Sequence, residues 1–391
     1  MKYFAFSLLL LLMPVTLSAQ SIDLNIHKKS VIKEDKSNFL IGRLAGIQTD
    51  SNLNIYLFDT IQKSVIKLDK TGKFQEEIVR SGRGPGEVSS IYSYFLNKDS
   101  GEILIADREN MRLNVLDLKG NEIRTIPMHP NKMNVPLEIK AYSRNKYLML
   151  FSLSPGQSLR RIEDIDSFFH LFDINSGKRL YSFGERTAIL DSLRLGNGIA
   201  AKQTTFKIGS VLIQDENRLI YAPYVYNGKF LQFRKDPNQR WSIKKIYKGE
   251  NLQRPASIEL DFEDYRENRR KYKNEYARNI FSSVGSMGNA AGLINYRSAN
   301  LSEISNDYIL HMYVAEYESE YEDSFYHVLM GELFDRNMNY LLTRKLMRGK
   351  EGEIFYKVDD KDKEGNYYLT VSHLKNPISD YVIQFSIEID F

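Results

Sequence analysis

Two stretches near the start of the chain repeat each other 48 residues apart, and that repeat restricts the fold more than any other feature. Residues 53–78 read LNIYLFDTIQKSVIKLDKTGKFQEEI, and residues 102–126 read EILIADRENMRLNVLDLKGNEIRTI. In both, a short apolar run ends in Asp (Asp59, Asp107), a second run follows, and a D-x-x-G turn (Asp69 with Gly72, Asp117 with Gly120) opens a third. Apolar runs of this length make strands, and Asp with Gly supplies the turn geometry that other residues resist. Each unit therefore reads as an antiparallel meander.

Weaker copies follow at residues 147–184 (turn at Asp173 and Gly177), 219–248, 308–346 and 366–390, which makes six units. A lone four-stranded meander cannot cover both of its faces. Six arranged radially bury those faces against each other and leave few strand edges open. The expected fold is all-β, a six-bladed β-propeller formed by residues 20–391 as one domain. The last unit reaches Phe391 after about three strands, whereas residues 21–27 are strand-like without companions. The N-terminal strand is thus expected to close the last blade as its outer strand.

Two regions depart from the repeat. Residues 261–281 place Phe262, Tyr265, Tyr272, Tyr276 and Ile280 on one helical face, so an amphipathic helix is expected there. It belongs to an insertion spanning about 255–299, between blades four and five. Residues 281–299, with Gly285, Gly288 and Gly292, read as a loop, as do residues 186–205.

The second unit carries a resemblance. Ile105, Ala106, Asp107, Asn110, Arg112, Val115 and the turn from Asp117 to Gly120 are similar to the NHL repeat of NHL-repeat and TolB-like six-bladed propellers. The run Gly82, Arg83, Gly84, Pro85, Gly86, Glu87 resembles the GxGPGE-type segment of six-bladed propellers exported by Bacteroidetes. What the resemblance implies is a fold and an exported location; propellers host binding scaffolds, lyases and hydrolases alike.

Residues 1–19 have the layout of a secretory signal, with Lys2, an apolar run from Phe4 to Met13, and small residues at Ser18 and Ala19. Cleavage is expected before Gln20. The absence of cysteine excludes disulfides, thiolate metal sites, a cysteine nucleophile and lipid attachment at a mature N-terminal cysteine. A periplasmic or secreted protein without a membrane anchor is expected. The net charge of +4 is too small to argue for nucleic acid, and no polybasic block exists.

The glycines from Ser81 to Glu87 match no phosphate-loop spacing and suit a crossover between blades, with Arg83 and Glu87 retained as binding candidates. Asp107, Asn110 and Arg112 read as a structural turn lock. His27, His129, His170, His311, His327 and His373 show no zinc spacing, although side chains from separate blades could converge on the axis. Zinc-dependent amidating lyases of the NHL type are built in that way, so the resemblance leaves a divalent metal, Ca or Zn, open. The acidic run from Glu316 to Asp323 reads as a solvated hairpin tip, and the basic stretch from Arg269 to Lys273 as a surface face. No G-x-S-x-G motif occurs. The expected role is a non-catalytic binding or scaffold propeller for a peptide, glycan or envelope protein, with no cofactor. The alternative is a metal-dependent lyase or hydrolase acting at the central channel.

Overall fold

The computed structural model describes residues 22–128, 136–151, 167–194, 209–268, 280–283, 290–318, 325–359, 361–373 and 380–391. It is a six-bladed β-propeller. Blade one consists of β2 (Leu44–Thr49), β3 (Ile55–Asp59), β4 (Ser64–Leu68) and β5 (Phe74–Val79), in that order from the axis outward. Blade two runs from β6 (Ser93–Asn97) to β9 (Glu122–Pro127), blade three from β10 (Glu138–Ser143) to β13 (Lys178–Glu185), and blade four from β14 (Ser210–Asp215) to β17 (Trp241–Lys248). Blade five runs from β21 (Tyr296–Glu303) to β24 (Tyr340–Arg348).

Blade six draws on both ends of the chain. Its order from the axis is β25 (Glu353–Asp359), β26 (Asn366–His373), β27 (Tyr381–Asp390) and then β1 (Asp23–Ile32). The expected closure is therefore present, over a longer strand than residues 21–27. Nine residue pairs join β1 to β27, from Asp23 opposite Asp390 to Ile32 opposite Val382.

The hydrophobic core is divided into wedges between neighbouring blades. Blades one and two enclose Tyr56, Phe58, Val65, Ile103 and Ile105, while blades five and six enclose Met312, Leu329, Phe355, Leu369 and Phe385. Comparable wedges fill the other four boundaries. Every residue of β3 is buried because both faces of that strand meet another blade, whereas outer strands such as β9 are largely exposed. This is why the inner strands read as continuous apolar runs and not as alternating ones.

The repeated turns are Asp-centred. Asp69 and Asp117 each accept backbone N–H groups two and four residues ahead, with Gly72 and Gly120 at φ +85 and +82°. The same turn recurs at Asp50, Asp335 and Asp362.

Between blades four and five the expected helix is present among the described residues as Phe262–Glu267, capped by the Asp261 side chain, which accepts from Asp264 N at 2.8 Å, and Ile280 is already strand. Residues 269–279, including the basic stretch, lie outside the described residues. Within the expected loop at 281–299 the described residues are mostly strand: β18 (Ser257–Leu260), β19 (Ile280–Ser283) and β20 (Ala290–Ile294) form a separate three-stranded sheet, and β21 begins at Tyr296, while residues 284–289, with Gly285 and Gly288, lie outside the described residues. Backbone pairing overrides the weak strand preference of the glycines and alanines here. Likewise Arg186–Leu193 is a helix rather than a loop, with Ile189, Leu190 and Leu193 packed into the wedge between blades three and four. Among the described residues no helix is long and apolar enough to cross a membrane.

Removal of residues 23–32 should expose the β27 edge and lower the Tm by about 5 °C or more. A peptide of residues 23–32 added in trans should restore part of that loss in differential scanning calorimetry. A truncated protein as stable as the parent would show that the ring does not depend on β1.

Candidate functional site

The innermost strands of all six blades face a cavity of about 450 Å³ on the propeller axis. Blade one contributes Arg43, Leu44, Ala45 and Gln48, with Thr60 from the loop after β3; blade two contributes Tyr94 and Phe95; blade three Glu138 and Lys140. Ser210 enters from blade four, Arg297 to Leu301 from blade five, and Tyr356 to Asp359 from blade six. The size suits a small organic ligand, and the mix of apolar wall with a few convergent polar groups is that of a binding pocket.

One polar cluster joins blades two and six. Lys357 Nζ lies 2.9 Å from Asp359 Oδ1 and donates to Tyr94 OH at 3.0 Å, and Tyr94 OH in turn donates to Asp359 Oδ1 at 3.0 Å. Ile47 N donates to the other carboxylate oxygen at 2.8 Å, so Asp359 is fully engaged although almost completely buried. Burial works to deprotonate Lys357, but the adjacent Asp359 and Tyr94 outweigh it and hold the ammonium well above the ordinary lysine range. Burial, reinforced by Asp359, pushes the Tyr94 phenol well up. The cluster thus presents a fixed cation to the cavity, with Tyr94 kept as a neutral donor.

A second network crosses from blade four to blade five. Ser210 and Ser298 are 2.7 Å apart through their hydroxyls, Ser298 Oγ is 2.9 Å from His311 Nε2, and His311 Nδ1 is 2.7 Å from Glu332 Oε2. Glu332 also accepts from Tyr226 OH at 2.6 Å and from Glu250 N at 2.7 Å. Ser298, His311 and Glu332 sit on three successive strands of blade five, and only Ser298 lines the cavity. Sequence reading missed this set because no local spacing connects the three positions.

The residues singled out from sequence lie elsewhere. Glu87 folds back onto its own loop, where its carboxylate accepts from Gly84 N at 2.8 Å; a Cβ at Gly82 would fall 1.9 Å from that carboxylate. Gly86 alone of the three glycines needs a left-handed backbone, at φ +76°. Arg83 is exposed, and neither Arg83 nor Glu87 lines the axial cavity. Asp107 is fully buried and accepts from Ser89 N and Ser90 N at 3.1 Å and from Asn110 Nδ2 at 2.7 Å, while Arg112 Nε lies 3.5 Å away. The carboxylate thereby ties the crossover from blade one to the second hairpin of blade two.

The described histidines are dispersed. His27 pairs with Glu388 on the outside of blade six, His170 bonds Ser182 and Ser167 inside blade three, and His373 ends β26. His129 lies outside the described residues. His327 Nε2 is 3.1 Å from Glu316 Oε2, and its Nδ1 accepts from Phe355 N at 2.9 Å. Glu316 is thus a buried partner within β22 (Tyr308–Glu318), not part of a solvated tip; residues 319–324 lie outside the described residues. Among the described residues no three His, Asp or Glu side chains gather where a cation could sit.

With this geometry the chain is a β-propeller with a ligand-sized cavity on its axis. Over residues 31–186 it matches the model of the DUF5128 family, described as a 6-bladed β-propeller. It is similar in structure to a DUF4221 family member from Bacteroides vulgatus, with a TM-score of 0.60 and 15% identity, covering 94% of this chain and 99% of that one. A Bacteroides fragilis protein whose name describes it as exported gives a TM-score of 0.52 at 11% identity, covering 94% of this chain and 95% of that one. At such identities the likeness concerns the fold. No curated protein matches the chain.

Burial, with help from Arg297, holds His327 well below the ordinary histidine range, and protonation would break the bond that its Nδ1 accepts. The unfolded chain takes up that proton near pH 6.5 while the folded one does not, so stability present above about pH 6.5 falls as pH drops. The loss from this group should approach about 1.4 kcal/mol per pH unit. Urea melts of His327→Gln should show a shallower decline between about pH 6.5 and 5 than the parent; equal slopes would mean that His327 is not the responsible group.

Proposed function

We propose that this protein is an exported, non-catalytic binding propeller that receives a small organic ligand, such as a short peptide or a saccharide, in its axial cavity. The carrying observation is the cavity itself, to which all six blades contribute and where polar side chains are held in place by neighbouring blades. Export is supported by the signal-like layout of residues 1–19 and by the structural likeness to a Bacteroides fragilis protein named as exported. The dispersal of the described histidines gives the metal-dependent alternative no convergent donor set.

The test is a thermal-shift screen of residues 20–391 against saccharides, peptides, divalent metals and a chelator, run beside Thr60→Trp. Thr60 is half-buried in a loop at the cavity wall, so the bulky replacement fills space without entering a strand. A ligand at about a hundred times its Kd adds roughly 2.7 kcal/mol, a shift of a few degrees in a chain of this size. The parent should respond and Thr60→Trp should not. An equal response from both would place the ligand elsewhere, and a chelator-sensitive shift would favour the metal-dependent reading.

A second reading has one specific observation behind it, the hydrogen-bonded series Ser298, His311, Glu332 with its hydroxyl on the cavity wall. Such an order suits acyl transfer: the Ser298 oxygen attacks an acyl carbon, His311 Nε2 takes the proton and returns it to the leaving group, and water later releases the acyl group. Against it, the Ser298 N–H, a natural oxyanion donor, is spent on Tyr224 O at 3.0 Å. The network is better read as an interblade tie. A fluorophosphonate probe should accordingly leave the parent unlabelled in intact-mass spectrometry; labelling lost in Ser298→Ala would establish the hydrolase instead.

A further inference from the structure

Charge on the cavity wall is out of balance. Arg43, Lys140, Arg297 and Lys357 face two carboxylates, Glu138 and Asp359. Lys357 is matched by Asp359 at 2.9 Å, and Lys140 lies 3.7 Å from Glu138. Neither arginine forms an ion pair among the described residues. Arg297 is only 4% exposed, its Nη1 donates to Tyr356 O at 2.6 Å, and its Nε and Nη2 have no hydrogen-bond partner. Arg43 Nε is likewise without one.

A guanidinium cannot shed its proton in a protein, so two of them beside a half-enclosed space carry a standing desolvation cost. The cost is offset when an anion enters that space, where the reduced dielectric strengthens attraction over what water would allow. Lys357 adds a directional contact. Two of its three N–H groups are used by Asp359 and Tyr94, and its side chain remains 26% exposed at the cavity. The apolar wall, including Leu44, Ile91, Phe95 and Ile139, would meet the uncharged body of the same ligand.

We infer that the axial cavity is a site for small organic carboxylates, with Arg43 and Arg297 supplying the uncompensated positive charge and Lys357 a fixed N–H donor. This rests on the binding reading above and narrows it to a ligand class. An organic carboxylate fits better than an inorganic ion, because the pocket is far larger than such an ion and its apolar wall would meet the ligand's body.

The experiment is titration calorimetry of the full mature chain with 3-phenylpropionate and glucuronate, each beside its uncharged amide, and with inorganic phosphate. The parent should bind at least one carboxylate, lose about tenfold or more of that affinity in Arg43→Gln, and bind more weakly as salt is raised. Arg43 is half-buried and precedes β2, so its replacement leaves the blade wedges intact; circular dichroism of the variant verifies this. Amides binding as tightly as their acids would leave the binding reading standing and overturn the carboxylate assignment. Phosphate alone binding would reassign the site to inorganic anions. A bromide soak of crystals is the independent arm: bromide should locate beside Arg43 or Arg297, and an empty cavity with no titration signal would overturn both readings.

Discussion

Everything else in the ring depends on the pairing of β1 with β27. A propeller blade is stable only when both faces are covered, so an open ring would leave two blade faces exposed as well as one strand edge. Chain ends 365 residues apart meet in this pair, as the Asn25 side chain bonding Asp390 illustrates. The wedge of Ile32, Ile41, Leu57, Leu68, Tyr368 and Val382 shows the consequence, since it joins the first blade to the last across the closing seam. Closure entropy is met once, by one outer strand, and the remaining five boundaries form between neighbours in sequence.

Buried carboxylates do the second part of the work. Asp59 gathers Gly42 N, Ile61 N and Gln62 N; Asp107 gathers the incoming Ser89 and Ser90; Asp380 accepts from Leu44 N across the seam. In each case the side-chain oxygens take up backbone amides at a junction between strands. The same economy fixes the axis, where Asp359 holds Ile47, Tyr94 and Lys357 together. Rigid inner strands follow, and with them a cavity whose polar groups are held in position before any ligand arrives.

Blades one and two were legible because their turns carry glycine at the left-handed position. The same turn also occurs with residues that disguise it: Leu53 in blade one, Gln239 in blade four and Met338 in blade five adopt φ of +67, +66 and +64°. A better signal lies one residue further on. In Asp50 with Asn54, Asp117 with Asn121, Asp335 with Asn339, and Asp362 with Asn366, the Asn amide donates to the Asp carboxylate at 2.7–2.9 Å. An Asp followed four residues later by Asn thus marks the hairpins at Asp50 and Asp335, which D-x-x-G does not, although the same spacing also falls on the short helix at Asp264 and Asn268. Gly292 misled for the converse reason: it lies in β20, paired on both sides, where composition alone reads as loop.

The sequence by itself determined the repeat, the six-bladed count, the closure by an N-terminal strand and the local Asp-centred turns, because each depends on residues close in the chain or on a missing strand that simple counting reveals. Only the tertiary structure decided which side chains share a site. Arg43, Tyr94, Lys140, Arg297 and Lys357 belong to five different blades, and Ser298, His311 and Glu332 to three strands. Radial closure brings those positions together at the axis, a proximity that leaves no periodicity or spacing in the chain. Arg83 and Glu87 stood out in a conspicuous motif, but their loop uses Glu87 to hold itself and leaves Arg83 exposed away from the axis.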